Sequence, residues 1–342
     1  MKIGIVGYRG AGKSTLFQWL TGAEPDPSLV HTTQLATQTV ADPRVGKLCE
    51  IYQPKKITQA SLNLVDTPGL SRDHEGSAGK LALIREAGCL VIVVGVFAGA
   101  DPNQDLSSFE DDLLLADLDI VNNRVEKLRE SVKKPRPNRE QEKAELEALE
   151  PLLVELESGK AMRDLELTGE QSRAIKSFQL LTEKPRFVLL NVADDCDNAD
   201  ELAAAVKSDG RVVALSALLQ IELAQMPDEE RQLFCEEMGV AGFDQAELLR
   251  QIMDASGQMF FFTAGEKEVR TWMIPKGATA EDAAGSIHTD LARGFVRAET
   301  MTCDDLFRLG SEREIKSQNL MRKETKNYVI QDGDILHILS ST

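Results

Sequence analysis

The chain has 342 residues, which is too long for one ordinary domain and predicts two or three. Hydrophobic residues make up 42% of it, and its formal net charge of -17 argues against broad electrostatic binding to nucleic acid or to an anionic membrane. The five cysteines are scattered without a C-x-x-C pair, which predicts reduced thiols rather than disulfides or a metal site. Because no run of about eighteen uncharged apolar residues occurs, we expect a soluble, cytoplasmic protein with no membrane contact.

The first fifteen residues predict a strand that ends in a phosphate-binding loop. Ile3, Ile5 and Val6 alternate as a buried strand, and residues 7 to 15 match the pattern G-x-x-x-x-G-K-[ST]. Apolar residues between positions 16 and 20 then recur at helical spacing. This order of strand, loop and helix is the context that the motif requires.

Each residue type in this loop has a physical role. Gly7 and Gly12 let the backbone bend so that consecutive N–H groups point at a phosphate, and the following helix adds the positive end of its dipole. Lys13 is predicted to reach the terminal phosphates as a catalytic residue, and the Ser14 hydroxyl to bind Mg²⁺. The residues predicted to bind nucleotide here are Arg9, Gly10, Ala11, Gly12, Lys13, Ser14 and Thr15.

The polar, turn-rich segment that follows predicts the first switch. In P-loop switches a threonine of this region closes over Mg²⁺ while the γ-phosphate is present. We predict Thr33 as this metal ligand, with Thr32 as an equal alternative and Thr37 and Thr39 also in range.

A second phosphate-binding signature follows an apolar strand at positions 62 to 65. The run Asp66-Thr67-Pro68-Gly69 is a D-x-x-G turn about fifty residues after the first loop. Asp66 is predicted to hold Mg²⁺ through water, and the Gly69 amide to sense the γ-phosphate as the second catalytic element. Leu70 stands where many GTPases place the glutamine that orients the attacking water, so hydrolysis needs another group or a partner.

Residues 71 to 80, which include Gly76, resemble a mobile second switch. His31 and His74 fall in the two switch segments and could approach the γ-phosphate, although a solvated loop histidine is the commoner case.

Charged residues and leucines dominate the middle of the chain. After an apolar strand at 89–96, residues 101–184 carry leucines and valines at helical spacing, interrupted at Pro135 and Pro137. Two long helices joined by a basic, proline-containing turn predict an antiparallel hairpin. A solvated charged arm with a narrow apolar seam is the favoured interpretation over a nucleic-acid site.

The alternating α/β pattern returns at position 185 and predicts the base-binding element. Asn191 is predicted to brace the phosphate loop, and the Asp194 carboxylate could accept two hydrogen bonds from guanine N1–H and N2–H, a donor pair that adenine lacks. The residue that usually stacks on the base, a lysine, is Val192 here. Ser216 and Ala217 follow the last strand, where their backbone could contact the edge of the base.

Taken together these motifs resemble the YchF family, or Obg-like ATPases, within the Obg branch of P-loop NTPases. The resemblance extends over nearly the whole length. Beyond the N-terminal loop it rests on Leu115-Ala116-Asp117-Leu118-Asp119, on residues 224–230, on Phe262-Thr263-Ala264-Gly265-Glu266-Lys267-Glu268-Val269-Arg270, and on 277–279, 287–290 and 294–299. The last four segments resemble the family's TGS domain, a small β-grasp module.

The resemblance implies binding and hydrolysis of ATP or GTP and association with ribosomes or translation factors, through the helical hairpin and the TGS domain. This chain departs from the family in three places. Gly10 and Ala11 replace an Asn-Val pair, and Asp194 replaces a glutamate that favours adenine. The loop at 97–102 lacks a histidine proposed to assist hydrolysis.

We therefore expect an α/β protein of three parts: an Obg-type G domain with a doubly wound sheet (1–100 and 185–258), an inserted helical hairpin (101–184) and a C-terminal β-grasp TGS domain (259–342). The predicted function is a slow NTPase switch that uses Mg²⁺ and prefers GTP, with ATP as the close alternative. Its predicted partner is the ribosome, rRNA or tRNA. A second hypothesis is a nucleotide-gated binding module with little or no hydrolysis.

Overall fold

The computed structural model describes residues 1–29, 31–73, 77–97, 99–238, 240 and 242–341. His74 and Gly76 of the predicted second switch lie outside these residues.

The strands are β1 (Lys2–Val6), β2 (Gln34–Thr39), β3 (Ile57–Thr58), β4 (Ser61–Asp66), β5 (Cys89–Gly95), β6 (Arg186–Asn191), β7 (Arg211–Leu215), β8 (Gln258–Ala264), β9 (Val269–Pro275), β10 (Phe295–Thr302), β11 (Arg322–Glu324) and β12 (Asp334–Ser340). The α-helices are α1 (Lys13–Thr21), α2 (Pro43–Tyr52), α3 (Ser77–Arg85), α4 (Pro102–Ser131), α5 (Arg139–Glu157), α6 (Gly169–Ile175), α7 (Ala199–Ala205), α8 (Ala217–Gln225), α9 (Asp228–Met238), α10 (Gln245–Ala255), α11 (Ala280–Ile287), α12 (Thr289–Arg293), α13 (Cys303–Leu309) and α14 (Glu312–Ser317). Short 3₁₀ turns span Pro27–Leu29 and Met162–Asp164. Within the described part of the chain, no helix combines the length and apolarity that crossing a membrane would require.

Contacts divide the chain into two compact units, Met1–Ala36 with Asn63–Phe243 and Thr37–Leu62 with Asp244–Thr342. This division differs from the predicted domains, because 37–62 and 244–258 group with the C-terminal unit. The physical reason is long-range pairing: β3 runs parallel to β9, with Ile57 opposite Val269. Helix α2 is tied to the same unit by Arg44, which pairs with Asp332 at 2.7 Å.

The first unit is built on a sheet of strand order β2-β4-β1-β5-β6-β7. β1 lies between β4 and β5, and β5, β6 and β7 continue in parallel. Every residue of β5 before Gly95 is apolar and buried, as expected for a central strand of a parallel sheet whose two faces are covered by helices. This is the predicted doubly wound P-loop fold, and the carboxyl ends of β1, β4, β5, β6 and β7 lie along one edge.

The predicted helical hairpin is formed by α4 and α5. With 30 residues, α4 is about 45 Å long at 1.5 Å per residue. Its buried seam packs against α5, and the pair is held by a bidentate contact of Arg124 with Glu145, both bonds 2.7 Å. The seam residues are Val121, Val125, Leu128, Leu149, Leu152, Leu153 and Leu156.

The second unit carries a sheet of order β11-β10-β12-β8-β9-β3 with α11 packed on it. β9 pairs with β8, and α11 follows it. The apolar residues within 328–338 predict two strands around a turn at 332–334; β12 forms after the turn, whereas Val329 before it makes only an isolated bridge with Thr279. The preceding segment is a turn because the buried Asp334 carboxylate accepts from the Tyr328 hydroxyl (2.9 Å) and the Gln331 amide (3.0 Å).

Candidate functional site

The loop between β1 and α1 takes its shape from glycines in the left-handed region. Gly7, Gly10 and Gly12 have φ of 143°, 79° and 92°. A Cβ at Gly7 would lie 2.4 Å from the Val93 carbonyl oxygen, and one at Gly12 would lie 2.0 Å from Asn191 Nδ2. Only glycine satisfies both the conformation and the space. The loop therefore leaves its N–H groups beside the N-terminus of α1, where anions bind.

Asn191 at the end of β6 joins two loops of the site. Its Nδ2 donates to the Ala11 carbonyl oxygen at 3.1 Å, and its Oδ1 accepts from the Ala217 amide at 2.9 Å. The side chain is buried, so both bonds are shielded from water. The sequence predicted a brace on the phosphate loop at this position, and the same side chain also holds the start of α8.

The D-x-x-G segment lies directly against the phosphate loop. The Arg9 amide donates to the Leu70 carbonyl oxygen at 2.9 Å, and the Leu70 amide donates to the Gly7 carbonyl oxygen at 3.1 Å. A Cβ at Gly69 would lie 2.7 Å from Lys13 Nζ. The two predicted catalytic elements are therefore neighbours, and glycine is needed at position 69 for that approach.

Leu70 does not face this cleft. Its side chain is 1% exposed and lies in the apolar core with Tyr8, Phe109 and their neighbours. The position that holds a catalytic glutamine in many GTPases is a core position here, which explains the leucine.

A cleft of about 300 Å³ opens between these segments. Lys13 Nζ is buried there and donates to the Tyr8 carbonyl oxygen at 2.7 Å. Burial lowers the pKa of Lys13 to about 8, with the charges of Lys80 and Arg9 acting in the same direction and Asp66 opposing them. The cleft is lined by Arg9, Gly10, Lys13, Ser14, Pro25, Asp26, Leu29, His31, Thr32, Gln34, Asp66, Thr67, Pro68, Gly69 and Lys80.

Two predicted metal ligands meet on one wall. Ser14 Oγ donates to Asp66 Oδ2 at 2.6 Å, while Asp66 Oδ1 is buried and has no hydrogen-bond partner among the described residues. Burial raises the pKa of Asp66, and the Ser14 bond opposes that shift. An unpartnered carboxylate oxygen beside a hydroxyl fits a hard cation such as Mg²⁺. Of the switch threonines, Thr32 lines the cleft, whereas the predicted Thr33 is half-buried in the same segment and is not among the lining residues.

A second, wider cleft of about 600 Å³ lies on the other side of the loop. Asp194 is on its wall, and its Oδ1 accepts from Ser216 Oγ, which also caps α8 by accepting from the Leu219 amide at 3.2 Å. The cleft is lined by Gly10, Gly12, Thr15, Phe97, Asn191, Val192, Ala193, Asp194, Asp195, Ser216 and Leu218.

Three residues of the site, Phe97, Leu218 and Lys80, were not predicted from the sequence. Phe97 and Leu218 line the second cleft with side chains that are 48% and 52% exposed, large apolar groups suited to the faces of a base. Lys80 donates to the Gly69 carbonyl oxygen at 2.9 Å. Phe97 and Leu218 could have been found by their positions in the sequence, since Phe97 follows β5 and Leu218 follows the Ser-Ala pair after β7.

The first hairpin helix contacts the phosphate site. The Tyr8 hydroxyl donates to Asp112 at 2.9 Å, which together with burial raises the pKa of Tyr8. Arg72, just after the D-x-x-G turn, pairs with Asp105 at 2.6 Å and lies 4.8 Å from the Tyr8 ring centre. The base of α4 is thus bonded to both phosphate-binding segments.

Comparisons with known proteins agree with this geometry. A family model described as 50S ribosome-binding GTPase matches residues 2–135, and the YchF-GTPase C-terminal model, described as a protein of unknown function (DUF933), matches residues 259–340. The chain is 34% identical over 362 residues to the Ribosome-binding ATPase YchF of Escherichia coli O157:H7, covering 99% of this chain and 98% of that protein.

It is also 34% identical to Obg-like ATPase 1 of Oryza sativa subsp. japonica, covering 98% of this chain and 91% of that protein. Among solved structures, the Schizosaccharomyces pombe YchF GTPase matches with a TM-score of 0.81 at 27% identity, over 99% of this chain and 97% of the other.

Proposed function

This chain belongs to the YchF family of Obg-like ATPases, and from that premise we propose that it binds a purine nucleoside triphosphate, hydrolyses the γ-phosphate and acts as a switch on the ribosome. The observation that carries the proposal is the juxtaposition of the glycine-shaped loop, the buried Lys13 and the Gly69 turn in one cleft. A bound triphosphate requires converging N–H donors, which the loop supplies, and a cation, which Lys13 supplies.

The amide hydrogens of residues 10–15 and Lys13 bind the phosphates in this proposal. Ser14 and Asp66 hold Mg²⁺, which when bound neutralises charge that builds up on the phosphate oxygens. The switch threonine comes from Thr32 or Thr33. Alanine variants of each distinguish them, because loss of the ligand weakens triphosphate binding in Mg²⁺ and leaves it unchanged in EDTA.

Asp194, Phe97 and Leu218 form the base site in this proposal. The carboxylate favours GTP, because guanine offers it two donors, whereas the curated relatives are named ATPases. A competition titration against a fluorescent nucleotide decides between them. If ATP displaces the probe more than about tenfold better than GTP, a difference of about 1.4 kcal/mol, then Asp194 does not select guanine.

The ribosome is the proposed partner, because the bacterial relatives are named ribosome-binding ATPases, and a ribosomal partner implies action in the cytoplasm. The turn between α4 and α5 supports a local contact with RNA in an otherwise acidic chain. It presents the exposed cations Lys133, Lys134, Arg136 and Arg139. Charge reversal at these four residues should abolish co-sedimentation with ribosomes while nucleotide affinity stays unchanged; unchanged co-sedimentation would exclude the turn as the contact.

A binding module with little hydrolysis is the second candidate, and the buried Leu70 favours it. Single-turnover hydrolysis with and without ribosomes separates the two. Turnover under either condition supports the enzyme, and the absence of turnover under both, with nucleotide bound, supports the pure binder.

A further inference from the structure

Among the described residues that line the phosphate cleft, Arg9 is a cation whose side chain is not held by a protein partner. Lys13 Nζ donates to the Tyr8 carbonyl oxygen, and Lys80 Nζ donates to the Gly69 carbonyl oxygen. The Arg9 side chain is exposed, lines the same cleft, and has no hydrogen bond or ion pair to any residue within the described ranges. Its charge nevertheless reaches the site, since it contributes to lowering the pKa of Lys13.

The backbone that carries Arg9 is fixed on both sides. Its own amide donates to the Leu70 carbonyl oxygen at 2.9 Å. The preceding Tyr8 ring packs edge-on against Phe109 at 5.4 Å, and its hydroxyl is held by Asp112. The backbone position of Arg9 is thus held, and its uncommitted guanidinium remains available to donate paired hydrogen bonds to an anion in the cleft.

Arg9 also lies next to the γ-phosphate sensor. A Cβ at Gly69 would lie 2.8 Å from the Arg9 nitrogen and 2.9 Å from its Cα, so the two backbones are in van der Waals contact. The nearby arginine of the D-x-x-G segment, Arg72, is already paired with Asp105. Among the described residues of this cleft, Arg9 is therefore the arginine positioned and free to meet the transferring phosphoryl group.

We propose that Arg9 is a catalytic residue that stabilises the γ-phosphoryl transition state from within the same chain, compensating for the apolar Leu70. The inference rests on the proposed triphosphatase function. A water oxygen bonds to the γ-phosphorus while the bond from that phosphorus to the β–γ bridging oxygen breaks. The bridging oxygen keeps the electron pair, the nucleoside diphosphate leaves, and the water proton passes to the released phosphate. The guanidinium donates hydrogen bonds to γ-phosphate oxygens, where charge shifts during the transfer.

The test compares Arg9→Ala and Arg9→Lys with the wild type and with Arg211→Ala. Arg211 is a matched control because it is exposed at the start of β7, the sheet edge opposite to the phosphate loop. Single-turnover hydrolysis should fall on the order of 10²–10³-fold in Arg9→Ala, the usual loss for one transition-state donor, and remain unchanged in Arg211→Ala. Arg9→Lys should recover only part of the rate, because lysine lacks the planar pair of donors.

A second readout does not depend on turnover. With nucleoside diphosphate and Mg²⁺, wild type should trap both beryllium fluoride, a ground-state mimic, and aluminium fluoride, a transition-state mimic. Arg9→Ala should lose only the aluminium fluoride complex, and its diphosphate affinity should stay within about threefold of wild type.

Three results would overturn the assignment of Arg9: hydrolysis by Arg9→Ala at the wild-type rate, an aluminium fluoride complex that survives the substitution, or a loss of diphosphate affinity as large as the loss of hydrolysis. If wild type binds no purine nucleotide, the proposed function itself fails. If wild type binds nucleotide but does not turn it over, the aluminium fluoride complex still tests the assignment: its loss in Arg9→Ala supports the role of Arg9, and its survival contradicts it.

Discussion

The buried Lys13 should destabilise the protein as long as the phosphate cleft is empty. Burial lowers its pKa from 10.5 to about 8, a difference that corresponds to about 3 kcal/mol. Below pH 8 the amine is charged in both the folded and the unfolded chain, so the full penalty applies. Between pH 8 and 10.5 only the unfolded chain keeps the proton, and the penalty disappears as pH rises.

Lys13→Met removes the charge and keeps the aliphatic chain. It also removes the hydrogen bond to the Tyr8 carbonyl, which is worth about 1 kcal/mol. At pH 7 without nucleotide the variant should therefore be about 2 kcal/mol more stable than wild type, and the difference should fall to about zero or below by pH 10. Saturating triphosphate with Mg²⁺ should reverse the order, because only wild type gains from the ligand.

Urea unfolding measures this effect if the signal comes from the correct unit. The chain has two tryptophans, Trp19 in α1 and Trp272 in β9. Both proteins are therefore compared in a Trp272→Phe background, where Trp19 alone reports on the unit that contains Lys13. A variant that is less stable than wild type at pH 7, or a stability difference that does not change between pH 7 and pH 10, would refute the reasoning.

Three further substitutions test separate parts of the first unit. Asn191→Ala removes the two hydrogen bonds that join the phosphate loop to the start of α8; it should cost about 2–4 kcal/mol in urea unfolding and weaken triphosphate binding, and unchanged affinity would exclude a brace. Asp117→Asn removes the fully buried counter-charge of the half-buried Arg85 and should cost about 3–5 kcal/mol, whereas the matched Asp119→Asn on the exposed face should cost little; equal costs would contradict the ion-pair argument. Phe97→Ala should weaken binding of purine mono-, di- and triphosphates by a similar factor, measured by calorimetry, because it removes apolar contact with the base alone; a loss confined to triphosphates would be inconsistent with this role.

The proposed phosphate site was predictable because its parts are contiguous in sequence. Residues 7–15 and 66–69 each form a local motif, and the parallel sheet brings the carboxyl ends of their strands to one edge. Glycine at positions 7, 12 and 69 follows from steric limits that any sequence must obey there.

The proposed base site was only half predictable. Phe97 and Leu218 are 121 positions apart and become neighbours of one cleft only because β5 and β7 flank β6. Neither has a local pattern that separates it from an ordinary exposed apolar residue. The unit to which residues 37–62 belong was hard to predict for a related reason. β3 is only two residues long, and its partner strand β9 is more than 200 positions further along the chain.

Helix α4 explains why a nucleotide switch and a distant contact can share one chain. Two side-chain bonds join its first half to the phosphate region, Tyr8 to Asp112 and Arg72 to Asp105. At the middle of the helix, the fully buried Asp117 accepts from Arg85 of α3. The Arg72–Asp105 pair couples a movement of the D-x-x-G segment on loss of the γ-phosphate to α4, because its two partners belong to these different elements. A rigid helix about 45 Å long turns a tilt of about 10° at its base into a displacement of several ångströms at its tip. The cations at that tip are the proposed ribosome contact, so loss of a phosphate in the cleft can change how the hairpin meets its partner without any change in the intervening core.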